Sequence, residues 1–137
     1  MQKNLSCFLI DNDTDDQDIF RMALRDVNDQ IVFTVADNGV DALQQVNADE
    51  SYVPSIIFID MNMPLMDGKQ CLREIKKLER LSRVPIYLYS TSSDPHTIAE
   101  VKRLGATDFI VKPAGYQKLI QLLSTLLKQK NLNNELQ

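Results

Sequence analysis

The chain has 137 residues, 44% of them hydrophobic and 25% charged, with four Gly and five Pro; this is the recipe of one folded globular domain and argues against a disordered or fibrous chain. A net charge of −4 supplies no positive field to hold a phosphate backbone, so direct binding of nucleic acid is not expected. Cys7 and Cys71 form no CxxC pair, no secretory leader is visible, and apolar runs such as residues 56–59 are too short to span a bilayer; these features predict a cytoplasmic protein with no disulfide framework and no membrane span.

Short apolar runs of strand length alternate with longer amphipathic stretches, and the βα pair recurs five times. The first strand is expected over 6–10. Ile19, Phe20, Ala23, Leu24 and Val27 then fall at helical spacing, and further strands are expected over 31–35 and 55–59. Most of these runs are apolar on consecutive positions, as in strands buried on both faces. Asp67 before Gly68 reads as a helix N-cap. After a fourth strand over 84–89, Asp94 and Pro95 read as a cap and first helical residue, with Gly105 as the stop. A fifth strand over 107–111 precedes a last helix carrying Leu119, Ile120, Leu123, Leu126 and Leu127. The domain is expected over 1–130, and the polar residues 131–137 are expected to fray.

Alternating β and α elements joined by right-handed crossovers imply an α/β fold, a three-layer αβα sandwich around a parallel sheet. Ligands of such sheets gather at the C-terminal strand ends. Those ends carry Asp11, Asn12 and Asp13 after strand 1, Asp60 after strand 3, Ser90 and Thr91 after strand 4, and Lys112 with Pro113 after strand 5. Carboxylates held together on one rim repel unless a cation joins them, and hard oxygen donors favour Mg2+ or Mn2+. A lysine and a hydroxyl beside such a metal suit phosphoryl transfer to a carboxylate.

Four segments, FLIDNDTDD (8–16), IIFIDMNMPLMDG (56–68), PIYLYSTSS (85–93) and GATDFIVKP (105–113), occur in an order that resembles the receiver domain of two-component response regulators over nearly the whole chain. The resemblance implies a flavodoxin-like (βα)5 fold with strand order 2-1-3-4-5, standing alone as a chemotaxis-regulator-like single domain. It implies that Asp60 accepts a phosphoryl group from a histidine kinase or histidine phosphotransfer protein. Asp11, Asn12, Asp60 and the backbone carbonyl of Asn62 match the family's metal site. Ser90, followed by Thr91, matches the switch hydroxyl, Lys112 the phosphate-binding lysine, and Phe109 the aromatic whose rotamer reports phosphorylation. The output would pass by protein contact to a downstream target, and a phosphorylation-dependent homodimer is compatible with the pattern.

One position departs from the family: Asn12 stands where a second acid is usual, and an amide coordinates without charge. Asp13 is the adjacent carboxylate that could take its place. The departure motivates an alternative, a pseudo-receiver that keeps the fold as an interaction module and has lost phosphorylation. A second alternative is a haloacid-dehalogenase-type phosphatase, because Asp11, Asn12, Asp13 and Thr14 read as a DxDxT motif with Asp11 as nucleophile. Against it stand the short chain and the DMNMPLMDG segment, which has no role there. Phe109 is otherwise an ordinary core aromatic, the cysteines small apolar residues, and His96 a solvated residue at a helix start.

Overall fold

A computed structural model describes residues 5–130. Five strands, β1 (Ser6–Ile10), β2 (Val32–Ala36), β3 (Ile56–Asp60), β4 (Ile86–Ser90) and β5 (Asp108–Val111), form one parallel sheet in the order β2-β1-β3-β4-β5. The helices are α1 (Thr14–Val27), α2 (Gly39–Ala48), α3 (Gly68–Lys76), α4 (Pro95–Arg103) and α5 (Tyr116–Gln129). The expected flavodoxin-like architecture is therefore present. The tail expected over 131–137 lies outside the described residues. Among the described residues no helix is long and apolar enough to cross a membrane.

Successive strand side chains point to opposite faces, so each central strand feeds two cores. Phe8, Ile10, Ile57, Ile59, Ile86 and Leu88 pack on the side covered by α2, α3 and α4. Cys7, Leu9, Ile56, Phe58, Tyr87 and Tyr89 pack on the side of α1 and α5. Every residue of β3 and β4 is buried, as the unbroken apolar runs require. The edge strands differ from the doubly buried expectation: Val32 is 53% exposed at one edge and Val111 49% at the other.

The boundaries depart from the apolar runs for identifiable reasons. Val84 and Pro85 precede β4 because Pro85 has no N–H to give a ladder; its carbonyl still accepts from Ile57 at 3.0 Å. Asp60 and Ser90 are the last residues of their strands, continued past the apolar residues by Met61 N–H to Tyr89 O at 3.2 Å and Lys112 N–H to Ser90 O at 2.7 Å. A 3₁₀ turn at Glu79–Leu81, which periodicity did not reveal, buries Leu81 and places Arg80 to donate to the backbone carbonyls of Val46 and Tyr52. Ile19, grouped by spacing with the core, is 45% exposed, while Phe20, Ala23 and Leu24 face the sheet.

The helix starts follow their caps. Asp67 accepts from Gln70 N–H at 2.9 Å and Asp94 from Thr97 N–H at 2.9 Å, as expected. Asp13 and Asn38 cap α1 and α2 in the same way. Gly105 follows the last turn of α4 with φ +109°, the left-handed geometry of a helix stop.

Gly68 is required by a close approach. A Cβ there would lie 2.7 Å from the carbonyl oxygen of Asp60 and 2.7 Å from Met61 Cα, both backbone atoms that cannot rotate away. The first residue of α3 is thus seated directly on the end of β3. Gly68→Ala is expected to lower the unfolding free energy by roughly 1–3 kcal/mol, as overpacking does, measured by urea unfolding; an unchanged midpoint would show the junction to be slack.

Candidate functional site

The strand register alone brings the two central carboxylates together. Ile10 pairs with Ile59 across β1 and β3, so the next residues, Asp11 and Asp60, continue the same row. Both have the phase of Leu9 and Phe58 and lean toward the α1/α5 side. Asp11 is fully buried and Asp60 6% exposed. Lys112 has the phase of Ile110 on that side, and its Nζ lies 3.1 Å from Asp11 Oδ2 and 3.8 Å from Asp60 Oδ2. Residues far apart in sequence thus share one pocket.

The remaining lone pairs are held by backbone. Asp13 N–H donates to Asp11 Oδ1 at 3.0 Å, and Asn62 N–H to Asp60 Oδ1 at 3.2 Å. Burial, and behind it the charge of Asp11, pushes the Asp60 carboxyl up to about 6, while Lys112 and the Asn62 N–H pull the other way. For Lys112, burial opposes the charged form. The hydrogen bond to Asp16 and the charges of Asp11 and Asp60 outweigh it and hold the ammonium above its ordinary range. Tyr89 closes the pocket with its ring centroid 5.2 Å from Lys112 Nζ, and burial pushes its hydroxyl up to about 12.

Ser90 and Phe109 belong to the other face. Both have the phase of Leu88, toward α3 and α4, and they line a cavity of about 190 Å³ with Met61, Asn62 and Thr97. Ser90 is 2% exposed, and its Oγ accepts from Ser92 N–H at 3.3 Å. Phe109 is half-buried against the core that includes Val101. The rim therefore gathers Asp11, Asp60, Lys112 and Ser90, with Phe109 one step removed. Asn12, Asn62 and Thr91 have exposed side chains at its edge.

Asp13 has a structural role: one oxygen of its carboxylate, Oδ1, caps α1, accepting from Asp15 N–H at 2.9 Å and Asp16 N–H at 3.2 Å. Sequence reasoning missed Asp16, whose Oδ2 lies 2.9 Å from Lys112 Nζ, and buried Gln17. Gln17 Nε2 donates to Asp11 O at 2.6 Å and to Asp37 Oδ1 at 2.9 Å, tying the end of β1 to the end of β2. A run of acids at a helix start signals dipole complementarity, and nothing local marks one of them as a partner of a lysine 96 residues away.

The donor set fits a magnesium-type ion. Asp11 and Asp60 are two buried carboxylates at adjoining strand ends, and carboxylate oxygens are the hard donors such an ion takes, with backbone oxygen and water completing its shell.

Comparison with known proteins agrees with this construction. The family model of the response regulator receiver domain matches residues 7–124. The protein-glutamate methylesterase/protein-glutamine glutaminase of Methanococcoides burtonii is 35% identical over 127 residues, which are 88% of this chain but only 34% of that protein. The chemotaxis protein CheY of Bacillus subtilis is 29% identical over 116 residues, 82% of this chain and 92% of that protein. The crystal structure of the phosphorylated cyanobacterial phytochrome response regulator RcpA superposes with a TM-score of 0.83 over 92% of this chain and 93% of that one, at 24% identity. A parallel sheet in the order 2-1-3-4-5, whose strand ends bring Asp11, Asp60 and Lys112 together, and a family match across residues 7–124 place this chain in the response regulator receiver domain family of two-component signalling.

Proposed function

We propose that the chain is a phosphorylation switch in which Asp60 accepts a phosphoryl group from a histidine kinase or histidine phosphotransfer protein. The observation that carries this reading is the single ammonium of Lys112 set beside Asp11 and Asp60 at the strand ends. An Asp60 oxygen would attack phosphorus, an O–P bond would form as the donor's P–N bond breaks, and the imidazole would leave with the electron pair. With its carboxyl at about 6, Asp60 is largely ionised, and so nucleophilic, at neutral pH. Lys112 neutralises charge on a phosphoryl oxygen, and the rigid strand end holds Asp60 for in-line attack.

Receiver domains typically bind a divalent metal, and here Asp11, Asp60, the Asn62 carbonyl and Asn12 would hold it. When bound, Mg2+ or Mn2+ supplies charge neutralisation of the phosphoryl oxygens. Ser90 then offers its hydroxyl to the phosphoryl group from the α3/α4 side, and the cavity between Ser90 and Phe109 gives the ring room to turn inward. Helix α4 is suited to respond because it buries only Val101. The domain spans residues 1–130 in this reading and signals through protein contact from the α4, β5 and α5 surface, whether to a separate target or to a second copy.

Incubation with acetyl phosphate and magnesium is expected to add one phosphoryl group to the wild-type chain and none to Asp60→Asn, read by mass spectrometry. Label that persists in Asp60→Asn and maps to Asp11 would instead support the phosphatase chemistry. No metal-dependent mass gain in the wild type would leave the chain a pseudo-receiver.

Asn12 makes a second expectation. Restoring a charged ligand with Asn12→Asp should tighten magnesium about tenfold, the scale of one added charged ligand, as measured by titration of the apoprotein. An unchanged dissociation constant would place residue 12 outside the metal's coordination.

A further inference from the structure

Lys112 faces more anions than the proposed reaction uses. Its Nζ lies 2.9 Å from Asp16 Oδ2, closer than to Asp11 at 3.1 Å or Asp60 at 3.8 Å. Asp16 belongs to no strand end. It sits in the first turn of α1, where the Asp13 cap holds its N–H at 3.2 Å and so fixes where the turn presents its carboxylate. That side chain is 37% exposed, whereas Lys112 is 12% exposed and Asp11 fully buried. The solvent side of the lysine is thus closed by an acid outside the metal and phosphoryl positions.

We propose that Asp16 is a positioning residue that competes with the phosphoryl group for Lys112 and so sets how much of the lysine's charge reaches the reaction. This rests on Asp60 being the phosphoacceptor. Once a dication takes the carboxylates of Asp11 and Asp60, Asp16 is the remaining ion-pair partner of Lys112 among the described residues. An incoming phosphoryl oxygen must draw the ammonium away from it. The lysine has three N–H donors but one charge, so what Asp16 neutralises is lost to the phosphoryl group. The amide in Asp16→Asn keeps the size and the hydrogen-bonding oxygen while removing the competing charge.

The test is the rate of phosphorylation by acetyl phosphate at saturating magnesium in wild type, Asp16→Asn, Lys112→Ala and the double variant. The reaction is followed as a mass gain, which remains measurable in slow variants, and thermal unfolding confirms that each variant is folded. Asp16→Asn should be faster by roughly three- to tenfold, the scale of one partly exposed charge-assisted hydrogen bond, and should have no effect in the Lys112→Ala background. A slower or unchanged Asp16→Asn, or the same gain without the lysine, overturns the competition. A purely structural Asp16 would not produce a gain that depends on Lys112. Wild-type protein that gains phosphate at a residue other than Asp60, or none, overturns the phosphoacceptor reading itself and the proposal with it.

Discussion

The site depends on one buried ammonium holding carboxylates that would otherwise repel. Lys112 lies within 4 Å of Asp11, Asp16 and Asp60, and two of these are almost wholly removed from water. Burial first, and the neighbouring Asp11 charge second, push the Asp60 carboxyl up to about 6, and the Lys112 ammonium is what keeps it from rising further. The consequence for stability has a definite sign. A carboxyl raised in the folded state favours folding most fully below the ordinary carboxyl range, and that contribution is lost as pH climbs through about 6. The metal-free pocket is therefore a place where the fold gives up stability in the neutral range, and a bound dication would restore it.

The rest of the architecture serves that cluster from two sides. Strand parity sends Asp11, Asp60, Tyr89 and Lys112 toward α1 and α5, while Ser90 and Phe109 lean toward α3 and α4. A group added at Asp60 would be read on both faces: by a charged contact on the first and by a hydroxyl, a cavity and an aromatic ring on the second. The two faces also differ in make-up. Phe20, Phe58 and Tyr89 interlock with centroids 5.0 to 6.1 Å apart under α1 and α5, whereas α4 buries only Val101 and is tied to α3 by the Lys69–Glu100 ion pair at 3.1 Å.

Much of this was legible in the residues. Unbroken apolar runs marked the central strands, Asp67 and Asp94 marked helix starts, and polar residues directly after the runs marked the rim. What escaped was what depends on distance across the fold. The exposure of Val32 and Val111 follows from edge position, which a run of β-branched residues does not encode. The Asp13 carboxylate stood beside the rim in sequence but caps a helix in space, and Asp16, which nothing local singled out, is the shortest contact of the Lys112 ammonium. Local spacing identifies the strand ends; only the packing of α1 against the sheet selects which neighbouring acid meets the lysine.

The most direct test of this electrostatic account is to follow the side-chain carboxyl carbon of Asp60 by NMR across a pH titration of the metal-free protein. The account predicts a midpoint near about 6, moving down when magnesium is added. A midpoint in the ordinary aspartate range, insensitive to magnesium, would contradict it.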